Sequence, residues 1–383
     1  MDRRSFLHHS LAATAAGIAT SAFAASPLKL AVLIPQSGPA GLFGPSSKAC
    51  AEMAAAALNA RGGLLGRPLE LLFGDAGLAP AESAQTALKL WKGQRAEAFV
   101  GMHDSAVRGA LVGLFKGQVP YVYTPVYEGG ECARGTYLAG ETPQQQLERV
   151  IPWLATERKP TKWYLIGNDY VWGRNTNAAA KGYIEKTGAK VVGDEYLPFT
   201  VDNFDASLAR IRDSGADAVL VSLVGGSSVT FNKAFASLGL ADKALRLGTL
   251  IEENTLAGIG LGNARNLYAS SGYFANLDTP AAKAFAADYA KRLGANAPTL
   301  NGLAESTYEG FLMLEALAKK AGSLDVAKMD AVAEGSSYSG PRGTVTLQNR
   351  HAEQDIHVAD VTDKGFRVLK TFAKVGAGQS CKV

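Results

Sequence analysis

The sequence predicts an α/β protein made of two doubly wound units, and three observations carry that reading. Continuous β-branched and apolar runs alternate with amphipathic segments along most of the chain, the pattern of parallel strands covered by helices on both faces. The chain has 383 residues, 47% of them apolar and 19% charged, enough for substantial cores but long for one domain. After Gly272 the alternation gives way to successive helices and then late strands. One such unit seldom has that order, whereas two units sharing the chain explain it.

Strands are expected at 28–35, 69–74, 98–101, 121–123, 162–166, 190–196, 218–223, 247–250 and 267–272, each an apolar run bounded by turn residues. Amphipathic helices are expected between them at 46–60, 81–93, 105–116, 144–156, 176–188 and 204–215. Helices at 279–293, 303–321 and near 325–334 come next, then strands at 343–347 and 356–360. A strand at 366–372 pairs back after an Asp363-Lys364-Gly365 turn. No short-period repeat and no low-complexity linker interrupts this order, so short crossovers should join the units.

The first two dozen residues stand apart. Arg3 and Arg4 precede Ser5-Phe6-Leu7, and a mildly apolar, Ala-rich stretch runs to Ala22-Phe23-Ala24. These features predict a signal peptide of the twin-arginine type over residues 1–24, cleaved near Ala24, and export to the periplasm. Its removal takes away two arginines and one aspartate and lowers the formal charge from +4 to +3. No later window approaches about 18 consecutive apolar residues, so the mature protein is expected not to be membrane-embedded. The small charge and scattered basic residues argue against nucleic acid as a partner.

Three cysteines remain in a compartment that permits pairing. Cys50 lies in helical sequence and reads as a buried thiol. Cys132 and Cys381 lie in loop-like and tail sequence, and a bridge between them is one pairing the count allows.

Signals for catalysis are missing. His103, His351 and His357 are the histidines left after processing, and none belongs to a metal-binding cluster. Gly258-Ile259-Gly260-Leu261-Gly262 does not open a helix behind a strand as a dinucleotide loop must. Neither a Gly-x-Ser-x-Gly elbow nor a Walker sequence occurs. The reading is therefore of a binding protein without a cofactor, not an enzyme.

Several segments together carry a resemblance. Ile34-Pro35-Gln36-Ser37-Gly38-Pro39, Ala60-Arg61-Gly62-Gly63 and Asp75 resemble the type I periplasmic binding proteins of the branched-chain amino acid group. Tyr127-Glu128-Gly129, Gly167 to Trp172 with Arg174 and Asn177, and Tyr273-Phe274 with Asp278-Thr279-Pro280 resemble its amide and urea branch. Ala304-Glu305 with Tyr308, Gly340-Pro341 with Gly343-Thr344-Val345, and Asn349-Arg350-His351 extend the likeness. The resemblance, over residues 28–372, implies two Rossmann-like lobes with parallel sheets joined by three crossover strands. Crossings fall near Thr142, Ala275 and Gly343. The lobes become 27–142 with 276–343 and 143–275 with 344–375, leaving 376–383 as a tail.

In doubly wound lobes a ligand sits beyond the carboxyl ends of the strands, near helix N-termini. The loops there supply His103 and Ser105, Tyr123 and Thr124, Tyr170 and Trp172, Val224 and Gly225, and Glu252. The Ser105 hydroxyl at a helix start suits a carbonyl or carboxylate, and it equally suits a plain helix cap. The resemblance places ligand-contacting residues at Ser105, Tyr170 and Glu252, whereas His103 stands where the amide branch tends to have Tyr. Tyr123 and Thr124 offer an aromatic wall and a hydroxyl, although strand tyrosines commonly pack in the core. Trp172 with Tyr170 suits a lid, and Glu252 suits an ammonium or amide N–H. Glycines after Val224 permit close backbone approach or simply a tight turn.

The resemblance and these loops together imply a monomeric periplasmic receptor of an ABC transporter that closes by hinge rotation on a small polar solute and docks on permease subunits. The solute expected is of the amide, urea or amino acid class. A periplasmic sensor feeding a membrane receptor is the alternative, and an exported hydrolase is the more distant one.

Overall fold

The structure is a computed structural model and describes residues 26–378. The expected leader and Cys381 lie outside them. The first run of apolar residues becomes β1 (Leu28–Ile34), followed by α1 (Gly44–Ala60), β2 (Leu69–Asp75), α2 (Pro80–Leu88), β3 (Ala98–Gly101), α3 (Ser105–Phe115), β4 (Tyr121–Tyr123) and β5 (Thr136–Leu138). The chain continues through α4 (Pro143–Leu147), α5 (Val150–Glu157), β6 (Lys162–Asn168), α6 (Val171–Lys186) and β7 (Lys190–Leu197). Next come α7 (Asp205–Asp213), β8 (Ala218–Ser222), α8 (Gly225–Ser237), β9 (Leu245–Gly248), α9 (Glu253–Ile259) and β10 (Leu267–Ser271). Three helices succeed them, α10 (Pro280–Leu293), α11 (Gly302–Ala321) and α12 (Val326–Ala333), and then β11 (Ser337–Gly340), β12 (Gly343–Gln348), β13 (His351–Thr362) and β14 (Gly365–Val375).

Strand order is β2-β1-β3-β4-β5 in the first lobe and β7-β6-β8-β9-β10 in the second, with parallel pairing throughout both runs. The two orders are the same doubly wound order used twice. Each reverses direction beside its first strand, so crevices open beyond β1 and β3 in one lobe and beyond β6 and β8 in the other. The central strands β3 and β8 are fully buried, as continuous apolar runs between two helical layers must be.

β13 joins the two sheets. Its start pairs in parallel with β5 through His351 and Leu138 and antiparallel with β12, whereas residues 357–360 pair antiparallel with β10. The return to the second sheet therefore runs along β13, not at Gly343 as expected. Asn349 and Arg350 both adopt positive φ, and this tight turn folds β12 back on β13 within the first sheet. Expected helix 144–156 is also interrupted, giving α4 and α5. The Asp363-Lys364 turn forms as read, with Thr362 paired to Gly365.

α11 carries the late helices back to the first lobe, where Leu303, Phe311, Leu314 and Leu317 share a core with Leu28, Leu30 and Val32. Its N-cap is Asn301, wholly buried. The Asn301 Oδ1 accepts from the N–H groups of Leu303 and Ala304, both at 3.0 Å, and its Nδ2 donates to the Ser46 hydroxyl at 2.9 Å. Replacing Asn301 with Ala removes the cap and orphans buried partners, each effect costing about 1–2 kcal/mol. Urea denaturation should show a loss of about 3 kcal/mol.

Candidate functional site

Loops from both lobes meet over two small adjoining pockets. One, of about 30 Å³, is lined by Met102, His103, Asp104 and Ser105 from the first lobe and by Tyr170, Val224 and Leu250 from the second. The other, of about 20 Å³, includes Glu141, Glu252, Ser270 and Ser271. Val126, Leu250 and Leu303 border both. Together they hold on the order of four water-sized bodies, and no lysine or arginine is among the described residues lining them. A larger concavity, of about 730 Å³, lies on the first lobe between α10, α11 and β11, away from these loops.

Four of the expected residues thus line the first pocket, namely His103, Ser105, Tyr170 and Val224. Glu252 lines the second. The N-cap of α3 is Asp104, whose Oδ1 accepts from the Val107 N–H at 2.9 Å, so Ser105 is the first helical residue and its hydroxyl is spared capping. Tyr123 donates to the His103 carbonyl at 2.7 Å and packs in a core with Phe99 and Phe115. It supports the wall without lining it.

His103 has its ring held on both sides. Nε2 is 3.0 Å from the Tyr121 hydroxyl and Nδ1 is 3.1 Å from the Asp104 carbonyl. Burial pushes its pKa down to about 4, so the imidazole is neutral at pH 7. Thr124 does not reach the pockets, because its hydroxyl donates to the Gly101 carbonyl at 3.3 Å. Trp172 lies behind Tyr170, with ring centroids 6.0 Å apart, and its buried Nε1 lacks a partner. Gly225 adopts positive φ, and a Cβ there would collide with the Pro39 carbonyl of the opposite lobe. Its role is close approach between lobes, not lining. The Val224 N–H is taken by Asn168 Oδ1 at 2.8 Å, leaving its side chain to the pocket.

Glu252 caps α9. Its Oε1 accepts from the backbone N–H and the hydroxyl of Thr255, while Oε2 is buried without a partner. Glu253 turns away, accepting the Ala275 N–H at 2.6 Å. Burial pushes the Glu252 pKa up to about 8 and that of Glu253 up to about 7. Below the Tyr123 ring, buried Arg108 pairs with Glu128 and Glu131 and lies 4.9 Å from the Tyr127 ring centroid. The Tyr127-Glu128-Gly129 segment is thereby anchored, and with it the neighbouring Val126 wall.

Sequence reasoning missed Met102, Val126, Leu250 and Leu303, because apolar lining residues look like core. It also missed Glu141, although an acid just beyond a short strand was a legible signal. Cys50 is free and buried as expected. Cys132 is disulfide-bonded, and Cys381 lies outside the described residues. Among the described residues, no helix is long and apolar enough to cross a membrane.

A sequence model of the periplasmic binding protein family matches residues 27–366. A Leu/Ile/Val-binding protein homolog 6 of Brucella melitensis is 27% identical over 378 residues, covering 94% of this chain and 95% of the relative. Among solved structures, an ABC-transporter solute-binding protein of Rhodopseudomonas palustris in complex with p-hydroxybenzoic acid is similar, with a TM-score of 0.82. It is 24% identical and covers 92% of this chain and 98% of that one. A leucine-, isoleucine-, valine-, threonine- and alanine-binding protein of Brucella ovis in a closed conformation has a TM-score of 0.81 at 20% identity, covering 93% and 98%. These structural likenesses establish the fold.

The buried carboxyl and imidazole groups make stability depend on pH. The native state keeps Glu252 and Glu253 protonated above about pH 4.5, where the unfolded chain has released those protons, so stability falls as pH rises toward 8. Burial lowers His103, His351 and His357 to about 4, which costs stability only below about pH 6.5. Between pH 6.5 and 8 Glu252 and Glu253 each contribute up to about 1.4 kcal/mol per pH unit, and Glu305 and Glu309, also raised by burial, act in the same direction. Denaturation midpoints of the unliganded protein should fall across that interval, and Glu252→Gln should flatten part of the slope.

Proposed function

The chain belongs to the periplasmic binding protein family and is a solute-binding protein, not an enzyme; from that premise we propose that it captures a small hydrogen-bonding solute of the amide, urea or amino acid class. One observation carries the reading. Ser105 from the first lobe and the unpartnered Glu252 oxygen from the second face adjoining pockets in a closed cleft that has no lining cation among the described residues. A solute presenting an acceptor to Ser105 satisfies one end; at the other, neutral Glu252 offers its Oε2 proton to an acceptor, and once ionised it accepts from a donor such as an ammonium. The modest volume favours a compact solute over a bulky one.

Binding begins with one lobe, and rotation about the crossovers brings Tyr170 and Val224 over the solute. Closure excludes water, which strengthens each remaining hydrogen bond. In this reading the mature protein is a periplasmic monomer exported by its twin-arginine leader. It delivers solute to the permease subunits of an ABC transporter, which distinguish the closed from the open form. The names of its relatives, which include a Leu/Ile/Val-binding homologue and an ABC-transporter protein, support this assignment.

A thermal-shift screen of urea, acetamide, L-alanine, L-leucine and 4-hydroxybenzoate tests it. A solute at about 100 times its Kd adds about 2.7 kcal/mol, or a rise of several degrees. Ser105→Ala and Tyr170→Ala should each remove the rise while leaving the unliganded melting temperature within a few degrees. A rise retained in both variants places the site elsewhere. Where the active solute carries an ammonium, binding should ionise Glu252 and release close to one proton at pH 7. Calorimetry in buffers of different ionisation enthalpy reads that release, and Glu252→Gln should abolish it.

A further inference from the structure

The three crossovers meet at one buried guanidinium. Arg342 lies in the β11–β12 turn of the first lobe, with its side chain 3% exposed. Its Nη1 donates to Glu141 Oε1 at 2.9 Å, on the first crossover, and to Gln354 Oε1 at 2.6 Å, on the third. Glu141 Oε1 also accepts the N–H of Gly272 at 2.6 Å, on the second. Gln354 Nε2 donates to the Ala139 carbonyl at 3.2 Å, tying third to first. The Arg342 Nε donates to Glu305 Oε2 at 2.6 Å, its Nη2 to the Gly302 carbonyl at 3.3 Å and its backbone N–H to Glu309 Oε1 at 3.3 Å. All three fix it to the first turns of α11.

Packing around this cluster leaves no slack. A Cβ on Gly272 would collide with Glu141 Oε1 and come within 2.7 Å of Arg342 Nη1 and 2.9 Å of Gln354 Oε1. Lobe rotation changes the angles between the crossovers, so bonds that link one crossover to another must stretch or break as the cleft opens. Glu141 also lines the smaller pocket. The cluster thus connects a cavity wall to all three hinge segments, while Arg342, Gln354 and Gly272 do not line the cavity.

We propose that Arg342 is a positioning residue that clamps the three crossovers in their closed geometry and so sets the open-to-closed balance from outside the solute cavity. A planar five-donor fork is suited to this work because it holds several acceptors in fixed directions. The inference rests on the two-lobe closure proposed above. Its test uses no solute, so failure of the clamp and failure of the solute assignment come apart.

The experiment compares unliganded parent protein with Gln354→Ala, Gly272→Ala and Arg342→Lys, using X-ray scattering for lobe opening and hydrogen exchange for the Gly272 amide. Arg61→Ala, which removes a surface pair to Glu315 on the same lobe, is the control. The clamp predicts native circular dichroism, a larger radius of gyration and about tenfold faster exchange of the amide at position 272 in Gln354→Ala and Gly272→Ala, with no change in the control. Unchanged scattering and exchange in those two variants would overturn it. A lower melting temperature with unchanged scattering assigns the cluster to stability alone and overturns it equally, as does loss of fold in both. Arg342→Lys keeps the charge without the fork and should resemble them; parent-like scattering in it shows that geometry is not what matters and overturns the clamp as well.

Discussion

In a parallel sheet covered by helices on both faces, the carboxyl ends of the strands are where a ligand is met, because helix N-termini and loops open there. Here both sheets aim those ends at each other. β1 and β3 on one side and β6 and β8 on the other deliver Phe43, His103, Ser105, Tyr170 and Val224 to one narrow space. Everything else about the site depends on that opposition. Helix N-termini arrive with it, glycine at 225 lets the lobes touch, and apolar residues such as Leu250 and Leu303 seal the edges.

Joining two such sheets through short crossovers buries polar backbone where no regular ladder can satisfy it. Side-chain amides do that work. Gln145 Nε2 donates to the carbonyls of Ala352 and Val375 at 2.9 and 2.8 Å, and Gln146 Nε2 to those of Thr249 and Ser270 at 2.7 and 2.8 Å. Thr142 closes a capping box with Gln145 at the start of α4. Two of three consecutive glutamines, Gln145 and Gln146, therefore stitch α4 to strands β10, β13 and β14 and to the loop after β9, while Gln144 turns outward to Glu148.

Burial also decides charge. The three histidines among the described residues are held neutral at pH 7, and in each case desolvation is the main cause. His103 and His351 stack on Tyr121 and Tyr127, so they belong to the aromatic support of the first lobe. Glu305 and Glu309 are raised by burial as well, even beside Arg342. Desolvation outweighs attraction there because one cation serves several acids in a space closed to water.

The sequence alone determined the fold class, most strands and the loops that carry the site, because period and turn chemistry are local properties. It also determined that Ser105, Tyr170 and Glu252 stand after strands, as topology then requires. Tertiary structure decided which side chains of those loops reach the pockets. Thr124 and Tyr123 spend their hydroxyls on Gly101 and His103, partners 23 and 20 residues away in sequence. It likewise decided β5, β11 and the split of β13 between two sheets, since short strands owe their existence to neighbours and not to their own residues. Arg342 meets Glu141 and Gln354 across separations of 201 and 12 residues. No local pattern encodes such a meeting, because buried polar partners are chosen by the space the whole chain closes around them.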